Sequence, residues 1–210
     1  MEIITIDQLD KKQEKEVIAL ISDSWNLSQR MPIQADHDKT LKLFITFLNM
    51  TNDFAFYAIS DHKIVGLIIG KTKTQFNLLN FLYYSMKLIR QAFVLPFLGK
   101  EARQYFKDYF NLTKAYPILT KNTGKLTNEV SLFAVSSAHQ GQGIGKKLMK
   151  KTIEHYQSSG VKQFELFTDT TCSYQFYDKN AFHLLGTQKV ALRPNHEETV
   201  MLYQKSIYIN

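Results

Sequence analysis

The chain has 210 residues and a formal net charge of +7, with 44% hydrophobic, 13% aromatic and 21% charged residues. That much apolar material builds a packed core and excludes intrinsic disorder, and the length suits one domain, residues 1–210. One cysteine, Cys172, excludes an internal disulfide and a cysteine-rich metal site.

The basic balance attracts anions without naming one. The first residues lack the basic-then-apolar pattern of a secretion signal, so the cytoplasm is the expected location. The most apolar stretch, residues 76–98, is interrupted by Asn77, Asn80, Lys87, Arg90 and Gln91, which argues against a membrane span and leaves no membrane partner expected.

In chain order, Ile3, Ile4 and Ile6 predict a short strand, and residues 11–22 a helix with Val17, Ile18, Leu20 and Ile21 on one face. After Pro32, Asp38 is placed to cap a second helix carrying Leu41, Phe44, Ile45 and Leu48. Residues 54–59 and 64–71 are β-branched and aromatic runs around a Ser60 to Lys63 turn, a hairpin pattern. Residues 72–128 change to helical spacing. One stripe runs through Leu78, Leu82, Met86, Ile89 and Phe93, and a second through Ala102, Tyr105, Phe106, Tyr109 and Leu112, so this segment reads as a helical insertion. Strands at 129–135 and 163–167 then alternate with helices at 146–157 and 173–179. Residues 184–192 and 199–204 close the chain as a hairpin.

The turn Gln140-Gly141-Gln142-Gly143-Ile144-Gly145 sits between a strand and an amphipathic helix. Its glycines permit a tight bend that exposes successive N–H groups at a helix N-terminus, a place that binds phosphate. The spacing fails the P-loop pattern, because Gln140 stands at the first glycine and Lys147 at the Ser/Thr position. It also fails the dinucleotide fingerprint, because Lys146 stands at the third glycine.

Gln140, Gly143 and Gly145 match the Gln/Arg-x-x-Gly-x-Gly/Ala motif of the GCN5-related N-acetyltransferase (GNAT) superfamily, which the chain resembles. Residues 129–135 resemble that superfamily's fourth strand. Residues 176–182, Phe-Tyr-Asp-Lys-Asn-Ala-Phe, resemble its Tyr-x-x-x-Gly-Phe helix end, with Ala181 in place of the glycine. The resemblance implies an α/β (α+β) fold: a mixed, mostly antiparallel central sheet flanked by helices, with the insertion before the fourth strand. It also implies acetyl-CoA as cosubstrate and no metal. N–H groups from Gln142 to Lys146, with Gly141, Gly143, Ile144 and Gly145, would hold the pyrophosphate. Main-chain groups of Phe133 and Val135 would hold the pantetheine like an added strand.

The same resemblance puts the Tyr177 hydroxyl beside the departing sulfur and makes Glu129 a candidate general base. Strand alternation puts Glu129 on the face shared by Ser131, Phe133 and Val135. An ordinary solvent-facing strand glutamate is an equal reading. Thr171 stands where many members have asparagine, and its hydroxyl could keep that role. Cys172 reads as a small buried hydrophobe rather than an acyl carrier. The six histidines show no metal-ligand spacing.

The expected activity is direct transfer of an acetyl group to a primary amine of a small molecule or peptide; the alternative is a non-catalytic acyl-CoA-binding protein. The charge alone suggests nucleic acid, but no recognition motif supports such a partner. The aromatic insertion has three readings: it lines or covers the acceptor site, forms a homodimer surface, or packs on the sheet.

Overall fold

The computed structural model describes residues 1–6, 9–31, 33–72, 78–121 and 126–207. The expected polar closure of the insertion at 122–125 lies outside the described residues, as does Phe76.

The elements are β1 (Glu2–Ile4), α1 (Lys11–Ser24), α2 (Leu27–Arg30), α3 (Gln34–Thr51), β2 (Phe54–Ser60), β3 (Lys63–Lys71), α4 (Leu78–Ala92), α5 (Lys100–Thr113), α6 (Ala115–Leu119), β4 (Glu129–Val135), α7 (Ile144–Ser158), β5 (Gln163–Asp169), α8 (Gln175–Asp178), β6 (His183–Arg193) and β7 (His196–Ser206). Among the described residues, seven strands form one sheet in the order β1-β2-β3-β4-β5-β7-β6, antiparallel at every junction except β4–β5.

Local chemistry explains most of the boundaries. Asp10 opens α1 through a capping box, accepting from Lys12 and Gln13 N–H while the Gln13 side chain accepts from Asp10 N–H. Asp61 and His62 both take positive φ, as a two-residue turn that follows strand twist requires, and join β2 to β3. Asp38, expected to cap the second helix, lies inside it: α3 begins at Gln34 with Ile33 as N-cap and no side-chain cap. The acid in its first turn is Asp36, which accepts from Gly99 N–H (2.9 Å) and so ties the insertion to this helix end.

The sheet has a core on each face. On one, Phe54, Phe56, Ile68 and Val130 pack against Ile144, Leu148 and Tyr156 of α7. On the other, Leu67, Ile69 and Leu132 pack against α1, α3 and the insertion residues Leu98 and Ala102. The insertion is fastened to the last hairpin by Asp108, which is buried and accepts from Arg193 through Nε (3.0 Å) and Nη2.

Candidate functional site

β4 and β5 touch at one register position only among the described residues, Glu129 opposite Glu165, beside the Glu165 N–H bond to the Asn128 carbonyl (3.1 Å). β4 is otherwise paired along its length to β3, and β5 to β7. The two strands are therefore joined at their N-terminal ends and unpaired with each other toward their C-terminal ends. Ser136 N–H donates to the Val65 carbonyl (2.9 Å). Alternation then directs the main-chain groups of Ala134 to β3 and those of Phe133 and Val135 into the opening toward β5. The Val135 carbonyl already accepts from Ser24 Oγ and Gln140 Nε2 (3.3 Å each), so its N–H is the group left for a guest.

The glycine turn stands at one side of this mouth. Gly141 and Gly143 have φ of +77° and +79°, with no atom within 4 Å of an added Cβ. The first bond inside α7 runs from Lys147 N–H to the Gly143 carbonyl (3.1 Å), so the N–H groups of Ile144, Gly145 and Lys146 have no acceptor within the helix. A Cβ on Gly145 would lie 3.1 Å from the Phe133 ring, which explains the glycine as close packing of helix on strand. Gln140 braces the turn through Val135, and Gln142 does so through the Ala138 carbonyl (3.4 Å). Lys150 and Lys151 both face Glu154, whereas Lys146 and Lys147 are exposed on the first turn.

α8 stands at the other side. Tyr177 is buried among Phe176, Phe182 and Tyr203, at ring distances of 5.6, 5.3 and 5.4 Å. Burial raises its hydroxyl pKa well above the ordinary tyrosine value, with smaller contributions from Cys172, Tyr203 and Asp169. Ala181, at the position of the usual glycine, has φ +55°, so the left-handed backbone is kept. An alanine there costs about 1–2 kcal/mol. Lys205 Nζ holds the bend by donating to the Asn180 and Ala181 carbonyls (2.7 and 3.0 Å).

Three expectations change. Glu129 does not share a face with Phe133: the β3–β4 register steps from Ile69–Leu132 to Gly70–Val130, leaving Ser131 as a bulge. Val130 and Phe133 consequently both pack toward α7, and Glu129 turns to the insertion face, ion-paired to Lys71 (2.7 Å). Thr171 is exposed, and its hydroxyl and N–H both donate to Asp169, which commits the hydrogen expected for the thioester. Cys172 is an exposed residue rather than a buried one, because the turn after β5 carries it outward.

Sequence reasoning missed Glu165, which is 6% exposed and accepts from Gln204 Nε2 (3.0 Å). Burial raises its carboxyl pKa, the Gln204 hydrogen bond opposes this, and the Glu129 carboxylate adds to the rise. The signal was present: Phe164 and Leu166 face α7, which sends Glu165, Phe167 and Asp169 to the insertion side. There Tyr116 of α6 stacks on Phe167 (3.8 Å). Burial raises the Tyr116 hydroxyl pKa, with Tyr109, Glu129 and Asp169 adding to it. The insertion side of the opening is thus lined by carboxylates and tyrosines. Among the described residues, no group of three or more His, Cys, Asp or Glu could hold a metal ion.

Comparison with solved structures finds the same architecture. An aminoglycoside 6'-N-acetyltransferase complexed with coenzyme A aligns at TM-score 0.56 and 14% identity, covering 99% of this chain and 98% of that one. A polyamine N-acetyltransferase of Drosophila melanogaster aligns at 0.55 and 12%, covering 98% and 100%. A ribosomal-protein-alanine N-acetyltransferase from Brucella melitensis aligns at 0.54 and 13%, covering 98% and 99%. No curated protein sequence matches. The model of the Acetyltransferase (GNAT) family matches residues 20–182. With that match over most of its length, the chain belongs to the GNAT family, as an acetyl-CoA-dependent N-acetyltransferase.

Proposed function

We propose that this chain transfers the acetyl group of acetyl-CoA directly to a primary amine of a small molecule or peptide in the cytoplasm. The carrying observation is the unpaired opening between β4 and β5, with the glycine turn on one side of its mouth and Tyr177 on the other.

The free N–H groups of Ile144, Gly145 and Lys146, reached through a turn with positive φ at Gly141 and Gly143, suit the pyrophosphate. The pantetheine would run along β4 past the main chain of Val135 and Phe133. The thioester then lies deeper, toward the end where Glu129 and Glu165 meet.

At pH 7 an alkylamine of pKa ~10.4 is nucleophilic in only about one molecule in ~2,500, a deficit of ~4.6 kcal/mol. A carboxylate that takes its proton recovers part of this. Glu129 lies on the insertion side, so the amine would approach from the face lined by Tyr109 and Tyr116, displacing Lys71 from Glu129 as it docks. Attack forms the C–N bond, collapse breaks the C–S bond, and the departing thiolate gathers charge. With ordinary pKa values, full proton transfer from tyrosine to thiolate is uphill by ~2 kcal/mol. The raised pKa of Tyr177 makes it steeper still, so its hydroxyl serves as a hydrogen-bond donor that stays protonated.

The test is release of free coenzyme A from acetyl-CoA across a panel of monoamines, polyamines, aminoglycosides and peptide N-termini. Amine-dependent release with sequential kinetics is expected. Tight coenzyme A binding without turnover on any amine would instead make the chain a non-catalytic acyl-CoA binder.

A further inference from the structure

α4 is seated on the body by a mixed face, on which Phe81, Tyr84 and Leu88 are half-buried between Asn80 and Ser85. Against α3, Asn80 donates to the Asn49 carbonyl (3.2 Å), and the Ser85 hydroxyl donates to the Met50 sulfur (3.2 Å). None of the α4 residues is fully buried. Its apolar stripe faces solvent instead: Leu79 is 79% exposed, Met86 73% and Phe93 73%, with Leu82 and Ile89 between them. Phe97, in the turn that follows, is 81% exposed. A continuous apolar strip of this kind marks an interaction surface.

Charge selects the occupant. From residue 71 to residue 100 the sequence has no Asp or Glu and five cations, Lys71, Lys73, Lys87, Arg90 and Lys100. Lys71 is engaged by Glu129 and Lys100 adjoins the exposed Glu101, which leaves Lys87, over the Tyr84 ring (5.8 Å), and the exposed Arg90. A second copy laid antiparallel across Met86 would set Lys87 and Arg90 of the two chains beside each other with no acid on either helix to offset them. A negatively charged lipid surface meets both features at once, with apolar side chains at the acyl boundary and cations among the headgroups. No described helix is long and apolar enough to cross a membrane, and α4, with Lys87 and Arg90 within its fifteen residues, has the make-up of a helix lying in the interface.

We propose that α4 and the turn through Phe97 dock the protein on anionic membrane surface. This refines the expectation of no membrane partner, which rested on the missing span.

The test is co-sedimentation of the full chain with vesicles of phosphatidylcholine and phosphatidylglycerol in a two-to-one ratio, beside vesicles of phosphatidylcholine alone. Binding to the mixed vesicles is expected, weakened by added salt. Met86→Glu with Phe93→Glu should lower the partition constant by more than about tenfold. Lys87→Gln and Arg90→Gln should lower it about fivefold each. The thermal midpoints of these variants should stay near that of the parent, because the side chains changed lie at the surface. Failure to sediment with either vesicle, or equal binding to both, overturns the proposal. So does a dimer in sedimentation velocity that the Met86 and Phe93 changes dissolve while vesicle binding is absent.

Discussion

Gly143→Ala tests the glycine turn by strain alone. Gly143 is the N-cap of α7 with φ +79°, and its Cβ position is open, so alanine meets no clash. What remains is the left-handed backbone, which costs an L-residue about 1–2 kcal/mol. The strain must surface in one of two measurements. If the turn keeps its shape, the folded state carries the cost and the thermal midpoint drops. At ~2–4 °C per kcal/mol for a chain of this size, that is about 2–8 °C. If the unliganded turn relaxes out of shape, the midpoint holds and coenzyme A must restore it, weakening binding by about 5–30-fold. Calorimetric titration of coenzyme A alongside thermal melts reads both. Gly143→Asn should show a smaller combined effect, because asparagine tolerates this backbone better than alanine. A Gly143→Ala protein matching the parent in both midpoint and affinity would refute the assignment.

Tyr177→Phe should lower kcat by about 10–100-fold, the worth of a hydrogen bond to a charged atom, with little change in KM for acetyl-CoA; steady-state kinetics decide it. The raised tyrosine pKa also predicts no loss of parent activity from Tyr177 ionisation up to about pH 10. Glu165 has a native pKa above its unfolded value, so the folded state holds its proton longer. Its contribution to stability then falls as pH rises from the ordinary glutamate range, about 4.3, through the raised native value. Glu165→Gln should therefore gain thermal midpoint relative to the parent over that window, and a difference constant with pH in paired melts would contradict it. Asp108→Asn weakens the tie to Arg193, half of which is solvent-exposed. It should cost about 0.5–1 kcal/mol, which a double-mutant cycle with Arg193→Gln would assign to the pair.

The glycine turn and β4 were legible because their signals are local: positive-φ glycines before an amphipathic helix, and an alternating run whose observed bounds, Glu129–Val135, agree with the expected strand. The hairpin at Asp61 and His62 was legible for the same reason. What escaped depended on partners distant in sequence. The bulge at Ser131 arises from its register with Ile69 and Gly70, and alternation within β4 cannot reveal it. Glu165 gains its meaning from Glu129, thirty-six residues earlier, across a parallel junction. The stripe of α4 was found by its period, yet period alone does not say which side meets the body. Here Asn80 and Ser85 do.

With one register contact between β4 and β5 among the described residues, the hydrogen-bond ladder divides into two units, β1 to β4 on one side and β5, β7 and β6 on the other, joined through the core under α7. A cosubstrate lying between them would act as a cross-link supplied from solution. Its binding energy would then be felt as resistance to separation of the two units as well as occupancy of a pocket. Amides of residues 131–135 and 166–169, on the two banks of the gap, should be where coenzyme A slows hydrogen exchange most. Far from the gap, in the β6–β7 hairpin, exchange should change little.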